Sequence, residues 1–481
     1  FMMVDRFANG DSTNDNSVQD SMIHPKANFY GGDLAGVHQK VTDGFFTDLG
    51  VNTIWVSPIS KNPSGAWGLW DKGGVTTKFS GYHGYWPVSN VIPDHRFGDS
   101  AAVQNMLDAA HRREMNVLLD YVANHVHKEH PVYRENPDWA TELYLPDGSL
   151  NTERWDEYRL TTWFDTFMPT LDLRRKEIVD PMTDSALVWV MKYDFDGFRH
   201  DATKHIAERY WRTLTQKLKD SLPEKHIYQI GETYGSPDLI ASYLSTGMLD
   251  AQFDFNVYDA SVSAFSGTEE TVPALQRLVE KEEQSLQYYG HHNLMGYISG
   301  NQDRSRFISI ASGDVLLSED QKLAGWTREI PLPDDTAYRR LSLLHAWNFS
   351  IPGIPVIYYG DEIGLHGGGD PDNRKMMRFD NYSSVEQGVL EDVKKLTRLR
   401  KGNMAMLYGT TEMEVMENGL LCIRRRYLDN EVITLINAGE EAVKYQHDAE
   451  LVAHFGSERT HGEEQASTTI AAFDFEILTK P

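Results

Sequence analysis

Three carboxylates stand where apolar runs end. Asp201 closes Phe195-Asp196-Gly197-Phe198-Arg199-His200-Asp201, and Glu232 closes Ile227-Tyr228-Gln229-Ile230-Gly231-Glu232. Asp303 follows Ile298-Ser299-Gly300-Asn301-Gln302. In a barrel of parallel strands the active site lies at the C-terminal strand ends, so the three would point into one mouth. Two carboxylates flanking a sugar bond are the equipment for glycoside hydrolysis. Arg199, two residues before Asp201, shares its strand face. A buried guanidinium there would keep Asp201 ionised, whereas Glu232 needs a raised pKa to act as an acid. One acidic residue at a strand end is most often a helix cap or a surface charge. Three of them, one with an arginine two before it, bring a carboxylate-based hydrolase level with that reading on spacing alone.

These residues need a frame. Apolar runs at 2–7, 52–58, 116–122, 196–201, 226–232, 249–254, 294–299 and 354–359 read as strands. Helix-like stretches at 100–114, 180–192, 203–220, 271–287 and 338–346 lie between them. Eight strands in a β-then-α rhythm predict an α/β fold, a parallel (β/α)8 TIM barrel. Residues 124–172, rich in Trp, Tyr, Pro and charge, break the rhythm and read as a small domain inserted after strand 3. From about residue 406 the pattern turns to short antiparallel strands, a C-terminal β-sandwich. The expected domains are therefore a barrel over 1–123 and 173–405, an insert over 124–172 and a sandwich over 406–481.

Composition narrows the field. The chain has 481 residues, one cysteine and a net charge of −25, so a disulfide framework and a cysteine zinc cluster are excluded. The acid excess argues against nucleic acid and anionic membrane surfaces as partners, but not against a neutral substrate. No apolar run is long enough to span a membrane. The chain opens at Phe1 with no signal peptide, so its natural N-terminus is expected upstream.

At the same residues the chain resembles the α-amylase family of glycoside hydrolases. Asp120-Tyr121-Val122-Ala123-Asn124-His125 is similar to the first signature of that family, and Gly197-Phe198-Arg199-His200-Asp201-Ala202-Thr203-Lys204-His205 to the second. Gly231-Glu232-Thr233 matches the third, and Asn301-Gln302-Asp303 stands at the fourth. Met168-Pro169-Thr170-Leu171-Asp172 resembles the signature that closes the inserted domain, and 353–362 resembles the last strand. The resemblance implies a double displacement with retained configuration. Asp201 would attack the anomeric carbon, Glu232 would protonate the leaving oxygen and then activate water, and Asp303 would hold the 2- and 3-hydroxyls. It also implies that Arg199 positions Asp201, that Tyr85 lies under the sugar ring, and that His83 and His125 bond to its hydroxyls. Aromatic faces suit the apolar side of a sugar ring. Asp370 and Arg374 would grip the adjacent sugar, and Lys204 and His205 would serve the leaving-group side. The fourth signature departs from the family pattern: Gln302 stands where a histidine is usual. Glutamine can donate from its amide but cannot be cationic, so turnover or its pH profile is expected to shift.

The loop from Asp5 to Asp15, with Gly31-Gly32-Asp33 after it, packs oxygen donors of the kind hard cations take, although Asn and Asp also suit turns. It is similar to the calcium site of neopullulanases and cyclomaltodextrinases. That resemblance implies a structural Ca2+ held by Asn9, Asp11, Asn14, Asp15, Asp33 and the carbonyl of Gly31. A second site of many α-amylases would use Asn124, Asp172 and the carbonyl of His205.

The expected substrate is an α-1,4-glucan: starch, maltooligosaccharides or cyclodextrins. A glucanotransferase with the same triad is an alternative, because no residue decides whether water or a sugar hydroxyl reaches the intermediate. A non-catalytic glucan-binding protein is a further one, but it would lose triad members. An unrelated barrel enzyme acting on a phosphorylated sugar lacks its Gly-rich turn here. Large glucans do not enter cells, so an extracytoplasmic (secreted or periplasmic) place is expected. Oligomeric state is left open by the sequence.

Overall fold

A computed structural model describes residues 1–461 and 465–480. The chain divides into two compact units, residues 1–253 and 254–481.

The first unit is built on a five-stranded parallel sheet, in the order Thr53–Val56, Asn116–Tyr121, Gly197–His200, Tyr228–Gly231 and Ala251–Gln252. The strands are buried almost end to end, as parallel strands covered on both faces must be. The helices Leu34–Thr42, Ser100–His111, Lys176–Lys192 and Glu208–Ser221 alternate with them. Register places Asp120 beside Arg199, and Arg199 beside Ile230. Gly197 has no substitute at its position, since a Cβ there would lie 2.2 Å from the Tyr228 carbonyl oxygen.

The first expected strand is corrected. Only Met2 pairs, with Val56, and Val4–Arg6 is a 3-10 turn. The reason is polar. Asp5 and Arg6 are buried and ion-paired at 3.0 Å, and the Asp5 carboxylate accepts from the N–H groups of Tyr30 and Gly31. The chain turns to satisfy them instead of extending. A hairpin, Trp67–Lys72 with Val75–Phe79, follows the first sheet strand. Its turn uses Gly73 and Gly74, both at positive φ, as a two-residue hairpin loop requires. Residues 124–172 hold only short helices and isolated bridges such as His125 with Thr170.

The second unit opens with the helices Phe255–Ser266 and Thr271–Tyr289. The strands Gly296–Ile298 and Ile354–Val356 pair in parallel. Between them runs Asp335–Ser350, buried along most of its length. Ser384–Gly402 starts with a reciprocal capping box between Ser383 and Glu386. Antiparallel strands follow, in one sheet of five and one of three. Leu420, Ile433, Leu435, Val443, Ile470 and Leu478 form a core shared by the two sheets. Leu420–Tyr427, Asn430–Asn437 and Asp474–Thr479 are buried along most of their length, whereas Val443–Asp448 alternates between buried and more exposed residues. No helix among the described residues is long and apolar enough to cross a membrane.

Glu282, on Thr271–Tyr289, is fully buried, and neither carboxylate oxygen has a hydrogen-bond partner. Burial pushes its carboxyl well up, and the Asp254 carboxylate adds to this, while Tyr297 and Arg425 pull the other way. A raised carboxyl pKa means that folding takes up a proton, so stability is lost as pH rises above the unfolded value, by about 1.4 kcal/mol per pH unit until the folded pKa is reached. Glu282→Gln removes that term. Thermal unfolding should show the variant gaining on the wild type between pH 5 and pH 8. A pH-independent difference would show that Glu282 is not held protonated.

Candidate active site

In the first unit one side chain gathers three carboxylates. Arg199 is 1% exposed, and its Nη1 lies 2.8 Å from Asp120 Oδ1 and 2.9 Å from Asp201 Oδ1. Its Nη2 lies 2.8 Å from Glu232 Oε2. Asp120 and Arg199 lie on neighbouring strands, Asp201 follows the strand of Arg199, and Glu232 follows the next strand. Ala202, next in sequence, takes a left-handed backbone, unusual for a residue with a Cβ and a sign of a constrained site. That turn aims the Ala202 N–H at Glu232 Oε2, 3.3 Å away.

One guanidinium cannot neutralise three carboxylates. Burial pushes Glu232 above the usual carboxylate range, against the pull of Arg199 and with a further push from Asp201. Burial likewise raises Asp120, against the pull of Arg199. Burial therefore favours the protonated form at Glu232 and at Asp120, and a raised carboxyl is what the acid of such a pair needs. Asp201 and Glu232 keep some exposure, 11% and 10%, whereas Asp120 has none.

The aromatic and histidine candidates surround this cluster. Tyr85 donates its hydroxyl to Asp120 Oδ2 at 2.8 Å. His83 Nδ1 accepts from the Tyr85 N–H, and the two rings stack with centroids 5.8 Å apart. His125 Nε2 lies 3.0 Å from the Tyr85 carbonyl. His205 Nδ1 lies 2.7 Å from the Arg159 carbonyl, and its ring meets Phe164 and Trp155. Burial pulls His125 and His205 down to about 4, so both are neutral and suited to exchange hydrogen bonds with hydroxyls. Lys204 reaches out to Asp156 at 2.8 Å. Sequence reasoning passed over Asp120 and Trp55, whose Nε1 donates to Asp120 Oδ2. Asp120 lies inside the apolar run over 116–122 and not at its end, so the rule that found the other carboxylates does not reach it.

The second unit holds the remaining candidates. Asp303 is half exposed, with Arg374 Nη2 at 3.1 Å from Oδ1. Gln302 donates from Nε2 to Asp303 Oδ2 at 2.9 Å. Arg374 also meets Asp370 at 2.8 Å. The Asn301 side chain accepts from the N–H groups of Asp303 and Arg304, fixing the turn that carries Asp303.

The N-terminal loop divides by role. Asp33 is wholly engaged: its carboxylate accepts from the N–H groups of Gly10, Asp11 and Gly36 and from the Asn14 amide. Asp11 accepts from Thr13. Those two build the loop. Asn9 donates from Nδ2 to both oxygens of Asp15, and a Cβ on Gly31 would lie 2.4 Å from Asp15 Oδ1, so the Gly31 backbone abuts the pair. Asn14 Oδ1 is buried with no partner. Asn9, Asn14, Asp15 and the Gly31 carbonyl all carry oxygens, the ligand type of a hard cation, and the orphaned Asn14 oxygen is the one the structure leaves without a hydrogen-bond partner. Among the described residues no three His, Cys, Asp or Glu side chains gather as a metal cluster, so any such site rests on amide and carbonyl oxygens as well. At the second expected site Asn124 Oδ1 is also buried without a partner, but Arg174 occupies the Asp172 carboxylate.

Known proteins resemble this chain along most of its length. The family described as "Alpha amylase, catalytic domain" matches residues 1–409. A cyclomaltodextrin glucanotransferase of Paenibacillus macerans is 28% identical over 92% of this chain and 59% of its own length. A cyclomaltodextrinase of Thermoanaerobacter pseudethanolicus is 24% identical over 90% of this chain and 68% of its own. The chain thus spans about three-fifths of that glucanotransferase. Among solved structures, an Anoxybacillus α-amylase superposes with a TM-score of 0.81 at 26% identity, covering 99% of this chain and 96% of that one. An α-amylase of Geobacillus thermoleovorans, complexed with acarbose, gives 0.77 at 26% identity, covering 99% and 97%. These likenesses make the architecture a (β/α)8 barrel with a C-terminal β-sandwich.

Removing the shared cation should be severe. Arg199→Met leaves buried carboxylates uncompensated, a change that costs about 3–5 kcal/mol in such settings. The loss should be largest near pH 8 and shrink near pH 4.5, where the carboxyls protonate. Denaturant titrations at the two pH values read it directly; equal losses would mean that Arg199 acts by packing alone.

Proposed function

The chain belongs to the α-amylase family, and from that premise we propose that it is a retaining glycoside hydrolase acting on α-1,4-glucans. The observation that carries this reading is the single guanidinium of Arg199 bridging Asp201 and Glu232. It keeps both carboxyl groups on one cation, and retaining chemistry needs two carboxyls only about 5–5.5 Å apart. Burial raises the Glu232 carboxyl against the pull of this cation, as an acid requires.

The steps follow from these groups. Asp201 attacks the anomeric carbon and a glycosyl ester forms. Glu232 gives its proton to the departing glycosidic oxygen, then takes one from the water that breaks the ester. Arg199 holds both. Asp303, Gln302, Asp370 and Arg374 bind hydroxyls of the sugars, Tyr85 offers an aromatic face, and His83 and His125 exchange neutral hydrogen bonds. Lys204 and His205 serve the leaving-group side. The substrate is a starch chain, a maltooligosaccharide or a cyclodextrin; starch, too large to enter a cell, would argue for a place outside the cytoplasm, secreted or periplasmic. A second reading, transfer of the glycosyl group to a sugar hydroxyl, is supported by the likeness to a glucanotransferase over 92% of this chain.

A product time course separates the two readings. With starch, a cyclodextrin, pullulan and maltoheptaose as substrates, short maltooligosaccharides from starch or opened cyclodextrin mean hydrolysis. Products longer than the maltoheptaose supplied mean transfer. Asp201→Asn should lower turnover by several orders of magnitude with an unchanged circular dichroism spectrum. A variant with near wild-type rate would remove Asp201 from the nucleophile's role.

We also propose that Asn9, Asn14, Asp15 and the Gly31 carbonyl hold Ca2+, with Asp11 and Asp33 shaping the loop. The ion would supply structural charge and no catalytic step. Chelation should lower the melting temperature of the wild type and leave that of an Asn14→Ala, Asp15→Ala double variant unmoved. An equal response in both would put the ion elsewhere.

A further inference from the structure

The second unit carries a chain of alternating charge that extends beyond its sugar-binding candidates. It starts on the short helix Gln321–Thr327, where Lys322 Nζ lies 2.9 Å from Asp370 Oδ2. Asp370 Oδ1 lies 2.8 Å from Arg374 Nη1. Arg374 Nη2 reaches Asp303 Oδ1 at 3.1 Å, and Gln302 closes the line on Asp303 Oδ2.

Lys322 is brought there by backbone contact and not by the reach of a flexible side chain alone. The Gly369 N–H donates to the Gln321 carbonyl at 2.8 Å. A Cβ on Gly369 would lie 2.8 Å from the Lys322 nitrogen, one on Gly368 2.9 Å from Gly325 Cα, and one on Gly325 2.7 Å from the Gly369 oxygen. Glycines on both sides let the helix and the loop before Asp370 meet main chain to main chain.

The charges explain why this matters. Arg374 is nearly buried, at 7% exposure, and faces two carboxylates, Asp370 at 21% and Asp303 at 52%. Without a second cation, Asp370 would compete for the same guanidinium. Lys322 balances Asp370, so two cations meet two carboxylates. Arg374 can then span both, and its Nε also donates to the Gln302 carbonyl at 2.8 Å.

We propose that Lys322 is a positioning residue for the sugar-binding edge of this unit, acting through Asp370 and Arg374 on the Asp303 carboxylate, with Gln302 holding that carboxylate from its other side. The proposal rests on the reading that Asp303, Asp370 and Arg374 bind sugar hydroxyls. Lys322 touches no reacting atom in this reading. It sets how well its partners are placed, and so acts on substrate binding more than on the chemical step.

The test compares Lys322→Met, which keeps the length of the side chain and removes its charge, with Lys322→Arg. Lys322 is over one-third exposed, so both variants should fold. Lys322→Met should raise KM for maltoheptaose roughly threefold to tenfold, the scale of about 1 kcal/mol for a well-placed surface-linked ion pair, with kcat within about twofold. Lys322→Arg should restore KM, and 1 M salt should narrow the gap by screening the pair. A second readout needs no turnover. With 15N-arginine, the Arg374 Nε–H resonance, assigned through Arg374→Lys, should move in Lys322→Met and return in Lys322→Arg. An unmoved resonance overturns the charge chain. A moved resonance with unchanged KM overturns its role in binding. A wild type silent on every α-glucan defeats the proposed function instead, while the resonance still decides whether Lys322 orders Arg374.

Discussion

The guanidinium of Arg199 is the constraint on which the first unit's chemistry depends. A cation that is 1% exposed has given up its hydration and must recover that cost from carboxylates in contact. Three supply it, from neighbouring strands of one parallel sheet. Because the charges do not balance, the cluster favours retention of a proton, and burial places that tendency on Glu232 as well as on Asp120. Asp120 has further donors of its own, from Tyr85 and Trp55, and no exposure. Its part is to anchor Arg199 from below, while Asp201 and Glu232 meet solvent.

The second unit answers a similar problem differently. Its carboxylates are more exposed, and its cations alternate with them along a line from Lys322 to Asp303. Such a line leaves no charge unmatched and holds the Asp303 carboxylate by both oxygens. The neutral amide of Gln302 does part of this holding. Unlike an imidazole, it cannot become cationic, so its grip on Asp303 does not depend on its own titration. The N-terminal loop shows a third arrangement. Asp33, fully buried, spends its carboxylate on main-chain N–H groups and an amide, while the Asn14 oxygen stays buried without a hydrogen-bond partner.

Much of the fold was legible because periodicity reports burial. The helix over Ser100–His111, the strand over Asn116–Tyr121 and the hairpin strand over Leu420–Tyr427 follow the apolar pattern to within a few residues. The failures have two causes. The segment at Val4–Arg6 is apolar enough to read as a strand, but its buried ion pair and the amides that Asp5 accepts from Tyr30 and Gly31 turn it. Those partners lie about 25 residues away, and no local window contains them. The Trp67–Phe79 hairpin was missed although Gly73-Gly74 is a strong turn signal. Its strands are half exposed, so they lack the apolar alternation on which the reading relied.

The sequence by itself determined which groups could do chemistry. Carboxylates at strand ends, an arginine two before one of them, and oxygen donors crowded near the N-terminus are properties of order and spacing, and a strand's alternation carries them directly into space. The tertiary structure decided how those groups are charged and held. Asp120 became the anchor of Arg199 only through strand register. Asp33 became a loop builder only when the main-chain N–H groups of Gly10 and Asp11, distant in sequence, met its oxygens. Lys322 joined Asp370 only where glycines let two main chains touch. Protonation and orientation depend on desolvation and on partners distant in sequence, and those exist only once the chain has closed around them.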